Sequence, residues 1–144
     1  MIDLVTVSYG EYTPSMGAPV RTSLGTPRWF PHPLPLAWEN VMPDRWMLGI
    51  EDEAEYRRAY WEKLNRVGYE TLLGDMEFLA DAWERVDGRR PDRLALLCYE
   101  KLSKPGNWCH RTMFGQWWTD QSGSYVGEFG AMPLDLDPED PCLF

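Results

Sequence analysis

The chain has no long apolar run. Nothing in it approaches the roughly 20 consecutive apolar residues that cross a bilayer, so no membrane partner is expected. Its start, Met1-Ile2-Asp3-Leu4, lacks the basic region and apolar stretch of a secretory leader. Cysteine is scarce, with three residues in the whole chain. An odd number without an export signal points to a reducing, cytoplasmic setting and to free, unpaired thiols rather than a disulfide framework. Positive charge is in deficit, 14 Lys and Arg against 23 Asp and Glu. Such a surface repels nucleic-acid phosphate at long range and argues against a sequence-independent coat on DNA. No internal repeat is visible, and 144 residues suffice for one core but not for two.

Tryptophan and proline are abundant by contrast. Eight tryptophans in so short a chain fill a core or line a pocket, and some must lie near the surface. Pro14, Pro19, Pro27, Pro31, Pro33, Pro35 and Pro43 keep residues 11 to 49 irregular, because proline breaks helices and disfavours central strands. A loop of this length is functional or wrapped over the core. Leu24, Trp29, Phe30, Leu34, Leu36, Trp38 and Trp46 indicate that it packs.

Elsewhere the pattern is regular. Leu4-Val5-Thr6-Val7 reads as a buried strand ended by Tyr9-Gly10. A helix over about 52 to 66 carries the stripe Tyr56, Tyr60 and Leu64, has acidic residues in its first turn, and ends at Gly68. A second, over about 70 to 86, places Leu72, Leu73, Met76, Leu79, Ala80 and Trp83 on one face before Asp87-Gly88. Arg93-Leu94-Ala95-Leu96-Leu97-Cys98 is a fully buried, parallel strand. Asn107 is placed to cap a helix from Trp108 to about Thr119. The expected fold is a single Rossmann-like three-layer α/β domain over residues 1 to 132, with a small, mainly parallel sheet covered by helices. An acidic, proline-containing tail follows over 133 to 144, and deleting it is expected to leave stability unchanged.

The stretch from Leu94 to Trp118 carries the chemistry. Ligands of open α/β sheets bind beyond the carboxyl ends of the strands, which is where Cys98 and Glu100 fall. Cys109, His110 and Arg111 fall in the first turn of the next helix, whose free N–H groups and dipole favour an anion and lower a thiol pKa. Cys98 or Cys109 is a candidate nucleophile, and His110 or Glu100 a proton carrier. Arg111 is the main candidate for holding a ligand, with Arg21, Arg28, Tyr9 and Asn107 beside it. A cation in a first helical turn needs a partner against the dipole, either Glu100 or a bound anion. If it is an anion, Arg111→Ala changes stability by less than about 1 kcal/mol.

Plainer readings stand beside these. Cys98 can be a small buried hydrophobe, Glu100 and Arg111 a structural ion pair, His110 a cap, Arg21 a loop charge, and Trp117-Trp118 core. Cys98, Cys109 and His110 can also be read as metal ligands. The pattern lacks a second paired-ligand motif, however, and adjacent ligands fit a tetrahedral ion poorly. Neither a metal nor another cofactor is therefore expected.

Leu96-Leu97-Cys98-Tyr99-Glu100-Lys101 followed by Cys109-His110-Arg111 resembles the signature of the family called domain of unknown function 488. There a buried strand ends in a Leu-Leu-Cys-x-Glu-like motif and Cys-His-Arg opens the next helix. Pro19-Val20-Arg21 and Thr26-Pro27-Arg28 look like a degenerate form of that family's Asp-Val-Arg strand end and its later Ser-Arg, with Pro19 where Asp is expected. Short members of this kind are similar to those of actinobacterial and phage genomes. The resemblance implies a Rossmann-like fold that gathers the Cys, Glu and Cys-His-Arg residues, and it implies no particular activity.

Two functions follow as expectations. One is a pocket for a small phosphate-bearing ligand, a nucleotide or nucleic-acid end, with or without catalysis. The other is a small acidic protein that engages or inhibits a partner protein through exposed Trp and Arg.

Overall fold

Leu94 to Leu97 are consecutive apolar residues between the turn Pro91-Asp92 and the exposed Tyr99, and such a run is stable only where both faces of a strand are covered. It forms the middle of the sheet. The computed structural model describes residues 2–100 and 108–129. Five parallel strands, β1 (Asp3–Ser8), β2 (Ala18–Arg21), β3 (Leu36–Ala37), β4 (Arg93–Cys98) and β5 (Gly127–Glu128), lie in the order β3-β2-β4-β1-β5. The helices are α1 (Glu53–Val67), α2 (Tyr69–Asp87) and α3 (His110–Ser122). The protein is a single α/β domain, as expected.

Side-chain alternation along the strands divides the core in two. On one face Leu4, Val20, Leu94 and Leu96 pack with Tyr60, Leu64, Leu72, Met76, Phe114 and Trp118 of the three helices. On the other, Val7, Ala95 and Leu97 are covered by Tyr9, Tyr12, Phe30, Leu34 and Phe129. That third layer is loop rather than helix. The helix stripes hold: Tyr56, Tyr60 and Leu64 are buried, as are Leu72, Met76, Leu79 and Ala80. Asp52 caps α1, its carboxylate accepting the Glu55 N–H at 2.9 Å. Of the tryptophans, Trp61 donates to the Met113 carbonyl and Trp117 to Asn65, so two indoles bolt α1 to α3.

The proline-rich segment departs from expectation. It contains β2, β3 and three short 3-10 turns (Pro14–Met16, Glu39–Val41, Arg45–Gly49), and β2 is not at the edge although it includes Pro19. The ladder explains the tolerance. The Thr22 N–H points to Leu97 O on β4 at 3.2 Å, so alternation turns the Pro19 nitrogen toward the β3 side. β3 begins only opposite Val20, so no ladder bond is lost there. Just before β2, Gly17 has φ +129°, and a Cβ there would lie 2.6 Å from the Arg93 carbonyl oxygen, so only glycine fits. Helix α3 starts at His110 rather than Trp108, because Cys109 is extended and serves as its N-cap. Asn107 and the tail over 133 to 144 lie outside the described residues.

Candidate functional site

β2 and β4 end side by side, with Arg21 opposite Leu97. Thr22 locks the two ends together, since its N–H and its hydroxyl both reach the Leu97 carbonyl, at 3.2 and 2.8 Å. Beyond this edge the chain leaves β2 through Ser23-Leu24-Gly25 and β4 through Tyr99-Glu100, while Cys109 leads into α3. The segment around Pro43 to Ile50 closes the remaining side. It is held to α1 by Tyr60, which donates to Val41 O, and by Lys63, which donates to Met42 O and pairs with Asp44 at 3.1 Å. These pieces line an open cleft of about 480 Å³. Leu24, Leu48, Ile50, Tyr56 and Trp108 give its wall apolar side chains, and Cys98, Cys109 and His110 line it as well. Burial raises the Tyr56 pKa, so its hydroxyl stays protonated.

Cys98 and Cys109 are joined by a disulfide. The expectation of free thiols is corrected here. Chain topology, not the parity of the cysteine count, decides the matter: the end of β4 and the start of α3 return to one point. Neither sulfur is a nucleophile in this state, so the nucleophilic roles assigned to Cys98 and Cys109 require prior reduction.

His110 is buried, and its Nδ1 lies 3.5 Å from Cys109 Sγ and 3.9 Å from Cys98 Sγ. Its Nε2 lies 2.8 Å from the Thr22 carbonyl, which can only accept, so Nε2 carries the proton and Nδ1 is bare. Tyr60 meets the ring edge-on at 5.6 Å between centroids. Burial chiefly lowers the His110 pKa, to about 4; Arg111 and Lys63 lower it further and the Thr22 hydrogen bond opposes them. The imidazole is therefore neutral at pH 7.

Among the described residues, the expected ligand-binding side chains do not converge on the cavity. Arg111 is fully buried and faces the other way. Its Nε and Nη2 donate to the two oxygens of Glu128 at 2.8 and 3.0 Å, and its Nη1 donates to the Glu100 carbonyl at 2.7 Å. Thr6 Oγ1 donates to the same Glu128 carboxylate at 2.6 Å. This corrects the role of Arg111 from anion holder to one half of a buried pair. It also corrects the partner, which is Glu128 together with the Glu100 main chain, not the Glu100 carboxylate. Glu100 itself does line the cavity. Arg21 braces the cavity from behind, donating to the carbonyls of Ser23 and Leu24 at 2.8 and 3.1 Å. Tyr9 is buried beneath the same turn, its hydroxyl 2.7 Å from Ser23 Oγ. Arg28 is exposed and Asn107 lies outside the described residues. Among the described lining residues Glu100 carries the one charged side chain.

The structure adds residues that the sequence did not single out. Thr22 acts through its carbonyl and Ser23 through its turn, and a main-chain acceptor leaves no mark on residue identity. Tyr56 was legible only as part of a helix stripe, and Trp108 only as a helix start. Trp29 and Trp46 are solvent-facing, at 61% and 64% exposure. No protein-family model, no curated protein and no solved structure matches the chain.

Proposed function

We propose that the protein is a small-molecule thiol–disulfide exchange protein whose cavity admits a low-molecular-weight thiol to the Cys98–Cys109 bond. The observation that carries this reading is the disulfide at a cavity wall with the bare His110 Nδ1 beside both sulfurs. The incoming thiol loses its proton to solvent and, as the thiolate, attacks one sulfur, forming a mixed disulfide. The displaced cysteine leaves as a thiolate and is protonated from solvent, its S–H then donating to the bare His110 Nδ1. A second thiol then resolves the mixed disulfide, so that two ligand thiols become one ligand disulfide and the protein holds two thiols. Both cysteines are buried, at 4% exposure each, which favours a reactant small enough to enter the cavity. The apolar wall and the Glu100 carboxylate favour a neutral or cationic thiol over a phosphate-bearing one.

The test is the rate of reduction of the oxidised chain by 2-aminoethanethiol, followed by quenched thiol labelling in increasing sub-denaturing urea. The rate is expected to rise linearly with thiol and to stay flat in urea, with 3-mercaptopropionate reacting more slowly. A rate that saturates with thiol at the global unfolding rate and climbs with urea overturns the proposal.

A further inference from the structure

The same three side chains have a second use once the sulfurs are reduced. We infer that the reduced chain binds one zinc-class divalent ion through Cys98 Sγ, Cys109 Sγ and His110 Nδ1, with the fourth position open to the cavity. The donor atoms all lie within 4.8 Å of one another. A tetrahedral ion with bonds of about 2.3 Å to sulfur and about 2.05 Å to nitrogen sets S···N at about 3.6 Å. The observed separations are 3.5 and 3.9 Å. Only the sulfurs must part, to about 3.8 Å on the same geometry.

Three independent observations support the ion. The buried Nδ1 lone pair faces both sulfurs, so on reduction the three donor atoms are already aimed at one point. Nε2–H is held by the Thr22 carbonyl, the outer hydrogen bond that orients a ligating histidine. The Cα atoms of Cys98 and Cys109 are 7.5 Å apart. Most disulfides hold theirs at about 4.4–6.8 Å, and an ion between the sulfurs accommodates the wider spacing. Charge also balances: two thiolates, a neutral imidazole and a divalent ion sum to zero, which suits a buried centre. The objection that adjacent residues make poor co-ligands does not hold here, because the extended backbone of Cys109 and the helical start at His110 bring both side chains to one point.

Loading follows reduction. A dithiol takes the disulfide to two thiols and is itself oxidised to a disulfide, and the ion then displaces the two sulfur-bound protons to solvent. This state uses the centre that exchange would use, yet it requires no small thiol in the cavity, so the two proposals fail separately.

The test uses the full chain carrying Cys142→Ser, reduced by a phosphine without oxygen (in denaturant and refolded, if the native chain resists), its free thiols confirmed by labelling. Titration with Co²⁺ is expected to give one ion per chain, a thiolate-to-cobalt charge-transfer band, tetrahedral visible bands, and displacement by Zn²⁺. The oxidised chain is expected to give none of these. Cys98→Ser, Cys109→Ser and His110→Ala are each expected to weaken binding at least about tenfold, the loss that a weakened ligand shell causes. Should His110→Ala fail to fold, the two serine variants decide. A reduced chain without the cobalt bands, or bands that survive either serine variant, overturns the inference and leaves the exchange reading standing. Exchange limited by unfolding in the earlier experiment leaves this inference standing.

Discussion

His110 and Arg111 are neighbours in the first turn of α3, both buried, and they face opposite ways. On the Arg111 side a guanidinium, a carboxylate and a hydroxyl satisfy one another across α3, β5 and β1. On the His110 side one ring nitrogen is bonded and the other faces two sulfurs that offer it no proton. A buried charge whose three nitrogens each donate to an acceptor is architecture. A buried lone pair left bare beside reactive sulfur is available for chemistry. Residue type alone does not separate the two, and arginine was the more tempting ligand holder.

The largest effect is expected on the architectural side. Arg111→Ala empties a fully buried site and removes the hydrogen bonds to Glu128 and to the Glu100 carbonyl, and should destabilise the chain by about 3–5 kcal/mol, read from urea unfolding curves. A loss below about 1 kcal/mol would show that the pair is not what holds β5.

Acid should then act through His110. Its folded pKa, about 4, lies below the ordinary value of 6.5, so between those values the unfolded chain binds more protons and stability rises with pH. Stability should therefore fall by about 3 kcal/mol as pH drops from above 6.5 to below 4, on top of any contribution from carboxylates. His110→Phe should flatten that segment of the stability curve; an unchanged slope in the variant would remove His110 from the account.

Thr6→Val keeps shape and removes the hydroxyl donor to Glu128. It should cost about 2 kcal/mol, the scale of a hydrogen bond to a charged group, and a double-mutant cycle with Arg111→Ala should show coupling. The smallest effect belongs to Glu100→Gln, within about 0.5 kcal/mol, because its side chain is exposed and Arg111 uses its carbonyl. A loss as large as that of Arg111→Ala would return the carboxylate to the pair.

What was legible in the sequence was periodic or contiguous. The apolar run of β4, the β-branched β1 and the stripes of α1 and α2 were placed to within a residue or two, since burial dictates their spacing. β3 was hidden in the proline-rich segment, and β2 was suggested only as a strand end by the resemblance at Pro19-Val20-Arg21, because Pro19 reads as a breaker until the ladder shows that its nitrogen faces no strand. Cys98, Glu100, Cys109 and His110 line one cavity, for a strand end and the next helix start meet above the sheet. Arg111 was misassigned because its partner sits 17 residues downstream on a strand of two residues, Gly127–Glu128, which has no pattern to detect. The disulfide was missed because counting cysteines says nothing about which of them meet.

The central place of β4 also sets an order of events during synthesis. Of the four seams in the sheet, β2–β3 is the one that a growing chain can form before Arg93 is made, since β2–β4 and β4–β1 need β4 and β1–β5 needs residues near 127. Until then α1 and α2 can coil but have little sheet to cover, and an emerging chain holds its helices ahead of its floor. Cys98 is the last residue of that floor, and Cys109 waits on α3. The two sulfurs are separated by only 11 residues, so they can meet once Cys109 is made, while the edge strand β5 is still to come.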